Sequence, residues 1–307
     1  MSEAVKLQSL TKDFGVLRAV DGLDLSVHRG EMFALVGPDG AGKTTSMRLI
    51  CGAMLPSSGE ALVEGVGVTE DPERVKRMVG YMSQRFSLYG ELSVAENLRF
   101  FADLRGVKAQ ERLTRSIELL SMTRLSEFTS RRAEQLSGGM KQKLALACTL
   151  IHVPRVLLLD EPTTGVDPVS RREFWRILHN LKKKDVTILV STPYMDEAER
   201  CDRVGFIHRG KLITVGTPDE LLDGLEGGIL RVYTSRAFAA QKVLQGIAGV
   251  ESVQMFGDRL HLLCENPGSV RTVAGPALEN AGYDDFKIEA AAPTLEDVFV
   301  SLTGNQG

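Results

Sequence analysis

Gly37-Pro38-Asp39-Gly40-Ala41-Gly42-Lys43-Thr44 lies between the apolar run Met32–Val36 and a helical pattern carrying Thr45, Met47, Leu49 and Ile50. A short apolar strand, a glycine-rich turn and a helix follow one another without a break, which is the context that the pattern G-x-x-x-x-G-K-[ST] requires. Glycines allow backbone N–H groups to curl around phosphate oxygens, and the helix start adds positive potential. Lys43 then reaches the β and γ phosphates of a nucleotide, and the Thr44 hydroxyl suits magnesium. The competing reading is a glycine-rich turn that opens an ordinary helix.

Working outward, further strand candidates are Val79–Ser83, Val156–Leu159, Thr187–Ser191 and Arg203–Ile207. Their aliphatic and β-branched content lacks strict alternation, as expected of strands buried on both faces of a mostly parallel sheet covered by helices. The run Val156–Leu159 ends in Asp160-Glu161. Ligands of a parallel sheet gather beyond the carboxyl ends of its strands, so these acids should face the nucleotide. Asp160 is suited to hold magnesium, directly or through a water, and Glu161 to polarise an attacking water. Alone, an apolar strand followed by acids often only starts a loop; the phosphate loop gives the pair its meaning.

Between Arg85 and Leu150 the period turns helical, with Ser93 and Glu96 as a capping-box pair and Val94, Leu98, Phe101 and Leu104 along one stripe. This reads as a helical insertion at about residues 85–150. Asp-Gly and Gly-Gly pairs after Leu222 mark a boundary, giving a first domain over 1–222 and a second over 223–307. The second runs strand, helix, strand, strand, helix, strand, which suggests a small ferredoxin-like α+β domain closed by a final helix near Pro293-Thr294.

The 307 residues are 43% hydrophobic, enough for a large core and a smaller one, and exclude disordered and collagen-like classes. A formal charge of -3 gives no global electrostatic footprint for nucleic acid. Lys182, Lys183 and Lys184 read as the solvated end of a helix. No apolar stretch approaches a bilayer span, and MSEAVKLQSL lacks the apolar centre of a signal peptide, so a cytosolic chain, or one held at a membrane by another subunit, is expected. The four cysteines are scattered without a C-x-x-C pair and read as reduced thiols.

Leu136-Ser137-Gly138-Gly139-Met140-Lys141-Gln142 leads into the helical pattern LALACTL. LSGGMKQ resembles the signature motif of the ABC ATPase family, and its place after GPDGAGKTT and before LLLDEP is that family's order. The resemblance covers roughly residues 5–222. It implies an α/β fold, an ABC-type P-loop ATPase with a mostly parallel sheet core, and ATP with Mg2+ as cofactors. Ser137, Gly138 and Gly139 would open a helix whose free amides bind the γ phosphate held by the opposite subunit, so that one copy carries half a site. The phosphate loop, Gly37, Pro38, Asp39, Gly40, Ala41, Gly42, Lys43, Thr44 and Thr45, would bind the nucleotide. Thr44, Gln84 and Asp160 would surround the metal, and Glu161, Lys43 and Gln84 would carry hydrolysis.

Phe14 occupies the place of the family's adenine-stacking aromatic, although a lone aromatic is more often core. Gln84 matches the loop glutamine that joins the catalytic core to the helical insertion, and Gly165-Val166-Asp167 matches the loop crossing the dimer interface; ordinary loop hydrogen bonding is the alternative for Gln84 and Asp167. One position departs from the family. Where most members end a strand in Ser-Thr-His, this chain reads Ser191-Thr192-Pro193. Proline has neither a side-chain donor nor an N–H, so slow hydrolysis, and pairing with a second, complete ATPase domain, is expected.

The ending Ala292 to Gly304 resembles ATPase subunits of ABC-2-type exporters, the drug-export and multidrug-resistance group; its apolar spacing also fits a helix docking the small domain. The segment PYMDEAERCDR is similar to exporters in which two ATPase domains are fused, leaving open that this chain corresponds to one half. The resemblance implies a peripheral subunit on the cytoplasmic face of the membrane. Its partners would be an integral ABC-2-type permease, docked near residues 85–104, and a second ATPase domain as homodimer or heterodimer, without nucleic acid. The competing class is a soluble ABC ATPase of translation or DNA repair; the fused pair or long coiled-coil insertion typical of those proteins is not seen in this sequence.

Overall fold

The computed structural model of the chain describes residues 2–85 and 88–304. Two compact units divide between Val215 and Gly216, upstream of the break expected after Leu222, so that the short helix Pro218–Asp223 belongs with the second.

The first unit contains two sheets. One is antiparallel, in the order β2 (Leu17–His28), β1 (Glu3–Phe14), β4 (Ser58–Val63), β5 (Val66–Gly67). The other has the order β10 (Lys211–Gly216), β9 (Arg203–His208), β3 (Met32–Val36), β8 (Thr187–Thr192), β7 (Val156–Asp160), β6 (Val79–Met82). The pairs from β9 through β6 are parallel. Every residue of β3, β7 and β8 is buried, which is why these strands show no alternation in the sequence.

Register places the functional edge. Val36 pairs with Thr192, Asp160 with Ser191, and Leu159 with Met82, so four strands end together and their following loops converge. Helix α1 (Lys43–Ile50) leaves from β3, and α2 (Pro72–Met78) precedes β6.

The insertion is built of α3 (Val94–Leu104), α4 (Ala109–Thr123) and α5 (Gly138–Leu150). The Ser93–Glu96 capping box forms as expected. Val94, Leu98 and Ala102 of α3 pack with Leu120, Leu144 and Ala147, whereas Leu104, expected on the same stripe, is exposed. After β7 come α6 (Pro168–Lys182) and the short α7 (Met195–Ala198).

The second unit opens with α8 (Pro218–Asp223) and then runs β11 (Gly228–Thr234), α9 (Ala237–Gln245), β12 (Val250–Phe256), β13 (Arg259–Cys264), α10 (Pro267–Asn280), β14 (Phe286–Ala291) and α11 (Leu295–Gly304). Its sheet has the order β12-β13-β11-β14 with every neighbouring pair antiparallel, which is the ferredoxin-like arrangement expected from the succession of elements. Leu230, Val232, Leu260 and Leu262 of the sheet pack against Ala240, Leu244, Ala274 and Leu278 of α9 and α10. Helix α11 is capped by Thr294, buries Leu295 and Val298, and lies against α8 and β13. The buried Asp297 of this helix accepts from His261 Nδ1 at 2.9 Å, and Arg231 Nε donates to the other ring nitrogen at 3.1 Å.

Candidate functional site

The phosphate loop is held open by close packing that only glycine permits at two positions. A Cβ on Gly37 would stand 2.1 Å from the Ile207 carbonyl oxygen, and one on Gly42, at φ +106°, would stand 2.5 Å from that of Ala19. The turn between β9 and β10 clamps the loop from outside, since Gly210 N donates to Ala41 O at 2.9 Å. Gly42 then caps α1.

Lys43 is almost completely buried. Its ammonium donates to the carbonyl oxygens of Gly37 at 2.7 Å and Pro38 at 3.0 Å, and stands 3.3 Å from Glu161 Oε1. Glu161 is buried as well, so the pair survives because each charge compensates the other. Its backbone has φ +48°, a conformation that costs an L residue about 1–2 kcal/mol. The amide repays part of that by bonding both the carbonyl and the hydroxyl oxygen of Ser191, each at 3.1 Å. The left-handed turn lifts Glu161 out of the strand that Asp160 ends. Gln84 Nε2 donates to Glu161 Oε2 at 2.8 Å, and the Thr164 hydroxyl donates to the same oxygen at 3.4 Å.

Asp160 is fully buried and takes three hydroxyl donors: Thr44 at 3.1 Å, Ser191 at 2.6 Å and Tyr81 at 3.3 Å. Burial and the neighbouring Asp160 charge push the Tyr81 phenol far above its ordinary range, so it stays a donor. Tyr81, Ser191 and Thr164 were not singled out from the sequence. Ser191 is the direct β8 partner of Asp160, a pairing that only the sheet register reveals.

The donor set fits magnesium: a threonine hydroxyl and a carboxylate are hard oxygen ligands, and their 3.1 Å separation is close to the roughly 3 Å spacing of adjacent oxygens around that ion. Gln84, from the loop after β6, lines the same cavity as Thr44, and its side chain bonds Glu161.

Lys43, Thr44, Gln84 and Glu161 border one cavity of about 480 Å³, whereas Asp160 is not among the residues lining it. Its lining joins Asp39, Gly40, Ala41, Gly42, Lys43, Thr44 and Thr45 of the loop and α1 to Phe14, Leu17, Ala19, Gln84 and Glu161. Phe14, 46% exposed at the end of β1, is a rim aromatic rather than core. Ser137, Gly138 and Gly139 lie elsewhere and do not line this cavity. Ser137 caps α5 by accepting from Met140 N at 3.3 Å, and it and Gly138 are exposed at the helix start. Gly139 packs so tightly on α6 that a Cβ would stand 2.3 Å from Ser170 Oγ. Asp167 caps α6 through Val169 N and Ser170 N.

A second cavity, about 380 Å³, lies between the Gln84 loop and the insertion, bordered by Arg85, Leu88, Glu134, Gly138, Lys141 and Gln142 among others. Gln84 lines both cavities. Residues 86 and 87 of the groove expected over 85–104 lie outside the described residues. Pro193 follows β8 directly and is not among the residues lining the nucleotide-sized cavity. Among the described residues no cluster of His, Cys, Asp and Glu is arranged to hold a metal, and no helix is long and apolar enough to cross a membrane.

Comparison with known proteins gives a consistent result. Residues 20–164 match the ABC transporter family. The chain is 48% identical over 71% of its length to the probable multidrug ABC transporter ATP-binding protein YbhF of Escherichia coli, but spans only 38% of that protein. It is 34% identical to the Nod factor export ATP-binding protein I of Ralstonia nicotianae, over 98% of this chain and 94% of that one. Among solved structures, a dimeric bacterial ABC transporter cassette superposes with a TM-score of 0.64 at 25% identity, covering 69% of this chain and 98% of the cassette.

Proposed function

Since this chain belongs to the ABC transporter ATP-binding family, we propose that it binds and hydrolyses Mg-ATP as one half of an ATPase dimer. That dimer drives a separate ABC-2-type export permease from the cytoplasmic face of the membrane. The observation that carries this reading is the meeting of Lys43, Thr44, Gln84 and Glu161 around one cavity, with the buried Asp160 bonded to Thr44 and the exposed Phe14 on the rim. Adenine would lie on Phe14, and the loop amides of Asp39 to Thr45 would wrap the phosphates.

Lys43 now spends its charge on Glu161 and two carbonyl oxygens. Arriving phosphates supply a stronger partner, and its transfer to them leaves Glu161 free to orient a water and accept its proton. Gln84, bonded to Glu161, senses that change and lies beside the second cavity as well. Magnesium held by Thr44, Asp160 and Gln84 would neutralise charge on the β and γ phosphates. The exposed start of α5 at Ser137 and Gly138 presents free amides to the γ phosphate of a partner subunit, which explains why these residues stand outside their own chain's cavity.

Three supports favour export. The tail resembles ABC-2 exporter subunits, two similar proteins carry names of multidrug transport and Nod factor export, and the second cavity offers a groove for a short permease helix. Pro193 removes one orienting contact for the attacking water, so turnover is slow. Purified protein should hydrolyse ATP slowly, and Glu161→Gln should abolish that activity while leaving ATP binding intact. Equal rates for wild type and variant would refute hydrolysis at this site.

A further inference from the structure

Four residues after Pro193 the fold buries a carboxylate that hydrolysis as described does not use. Glu197 on α7 has no exposed surface. One of its oxygens accepts from the Thr163 hydroxyl and the other from the Thr192 hydroxyl at 2.8 Å. Both threonines are buried. Arg171 Nε of α6 stands 3.6 Å from Glu197, and the same guanidinium lies 4.9 Å from the Tyr194 ring. Tyr194 N donates to Thr192 Oγ1 at 3.0 Å, fixing the chain on the far side of Pro193.

Thr163 lies two residues after Glu161, and Thr192 follows Ser191, the residue that receives the Glu161 amide. One carboxylate therefore ties the loop that carries Glu161 to the strand end against which Glu161 is braced. Replacing a buried ion pair by apolar groups is often neutral or stabilising, so what a carboxylate supplies at this point is direction. We infer that Glu197 is a positioning residue for the hydrolytic step: through Thr163 and Thr192 it locks the left-handed turn at Glu161 in place. This rests on the hydrolytic reading of Glu161.

The test compares single-turnover ATP hydrolysis and ATP affinity for wild type, Glu161→Gln, Glu197→Gln, Thr163→Val and Thr163→Ser. Glu197→Gln keeps the shape but loses the charge and one acceptor, and its rate should fall about tenfold or more with ATP affinity held within about twofold. Thr163→Val should reproduce that loss, and Thr163→Ser, which keeps the hydroxyl, should restore the rate. The double variant Glu197→Gln/Thr163→Val should lose no more than either single one. An unchanged rate in Glu197→Gln or in Thr163→Val overturns the assignment, as does a loss in Thr163→Ser equal to that in Thr163→Val. A wild type no faster than Glu161→Gln would instead bring down the hydrolytic reading, and this inference with it.

Discussion

The Lys43 ammonium and the Glu161 carboxylate stand 3.3 Å apart with both groups buried, so the phosphate-binding cation and the water-orienting acid of the proposed site neutralise each other before any ligand arrives. Removing one partner leaves the other charged and buried. Lys43→Ala should therefore lower unfolding stability by roughly 3 kcal/mol, and Lys43→Ala combined with Glu161→Gln should recover much of it. Urea denaturation of the single and double variants measures the difference.

Pro193 occupies the position where the family resemblance implies a histidine that orients the attacking water, and proline has no side-chain donor. A positioned donor at such a site is worth about 10² or more in rate. Pro193→His should raise the single-turnover rate by roughly that factor with little change in ATP affinity. An unchanged rate would mean that the imidazole contact is not what limits this chain.

His152 titrates against the fold. Burial, reinforced by the positive charge of Arg105, pushes its pKa down to about 4, although its bond to the Val79 carbonyl at 3.1 Å pulls the other way. The folded protein thus binds this proton less readily than the unfolded chain, whose histidine titrates near 6.5. The associated stability is present above about pH 6.5 and is lost as pH falls towards about 4. Because the ring is partly exposed, solvent screening reduces the effect to the order of 1 kcal/mol. His152→Gln keeps a donor for Val79 without the titration, and it should flatten the pH dependence of the urea midpoint across this window.

Much of this was legible because glycine, charge and strand ends leave strong marks. Met32–Val36 was read to the residue, and the second unit's succession of elements emerged with its sheet order implied. The antiparallel sheet of β1, β2, β4 and β5 was not foreseen. Its strands mix buried and exposed positions, and register shifts break the alternation between β1 and both of its neighbours, β2 and β4, so no two-residue period survives in the sequence. Leu104 misled for a similar reason: hydrophobic spacing favoured it, but the buried stripe continues through the smaller Ala102. The Glu197 contacts were invisible because Thr163, Arg171, Thr192 and Glu197 come from separate segments. Polar residues usually announce exposure, and only the fold reveals that Thr163, Thr192 and Glu197 are buried.

The proposed site depends on the buried Lys43 receiving the phosphates of ATP. Binding of a fluorescent ATP analogue with magnesium to wild type, Lys43→Ala and Phe14→Ala measures it most directly. Saturable binding by wild type, weakened in Phe14→Ala and lost in Lys43→Ala while that variant stays folded, is the predicted result. Equal affinity in a folded Lys43→Ala, or no binding by wild type at millimolar nucleotide, would contradict the account.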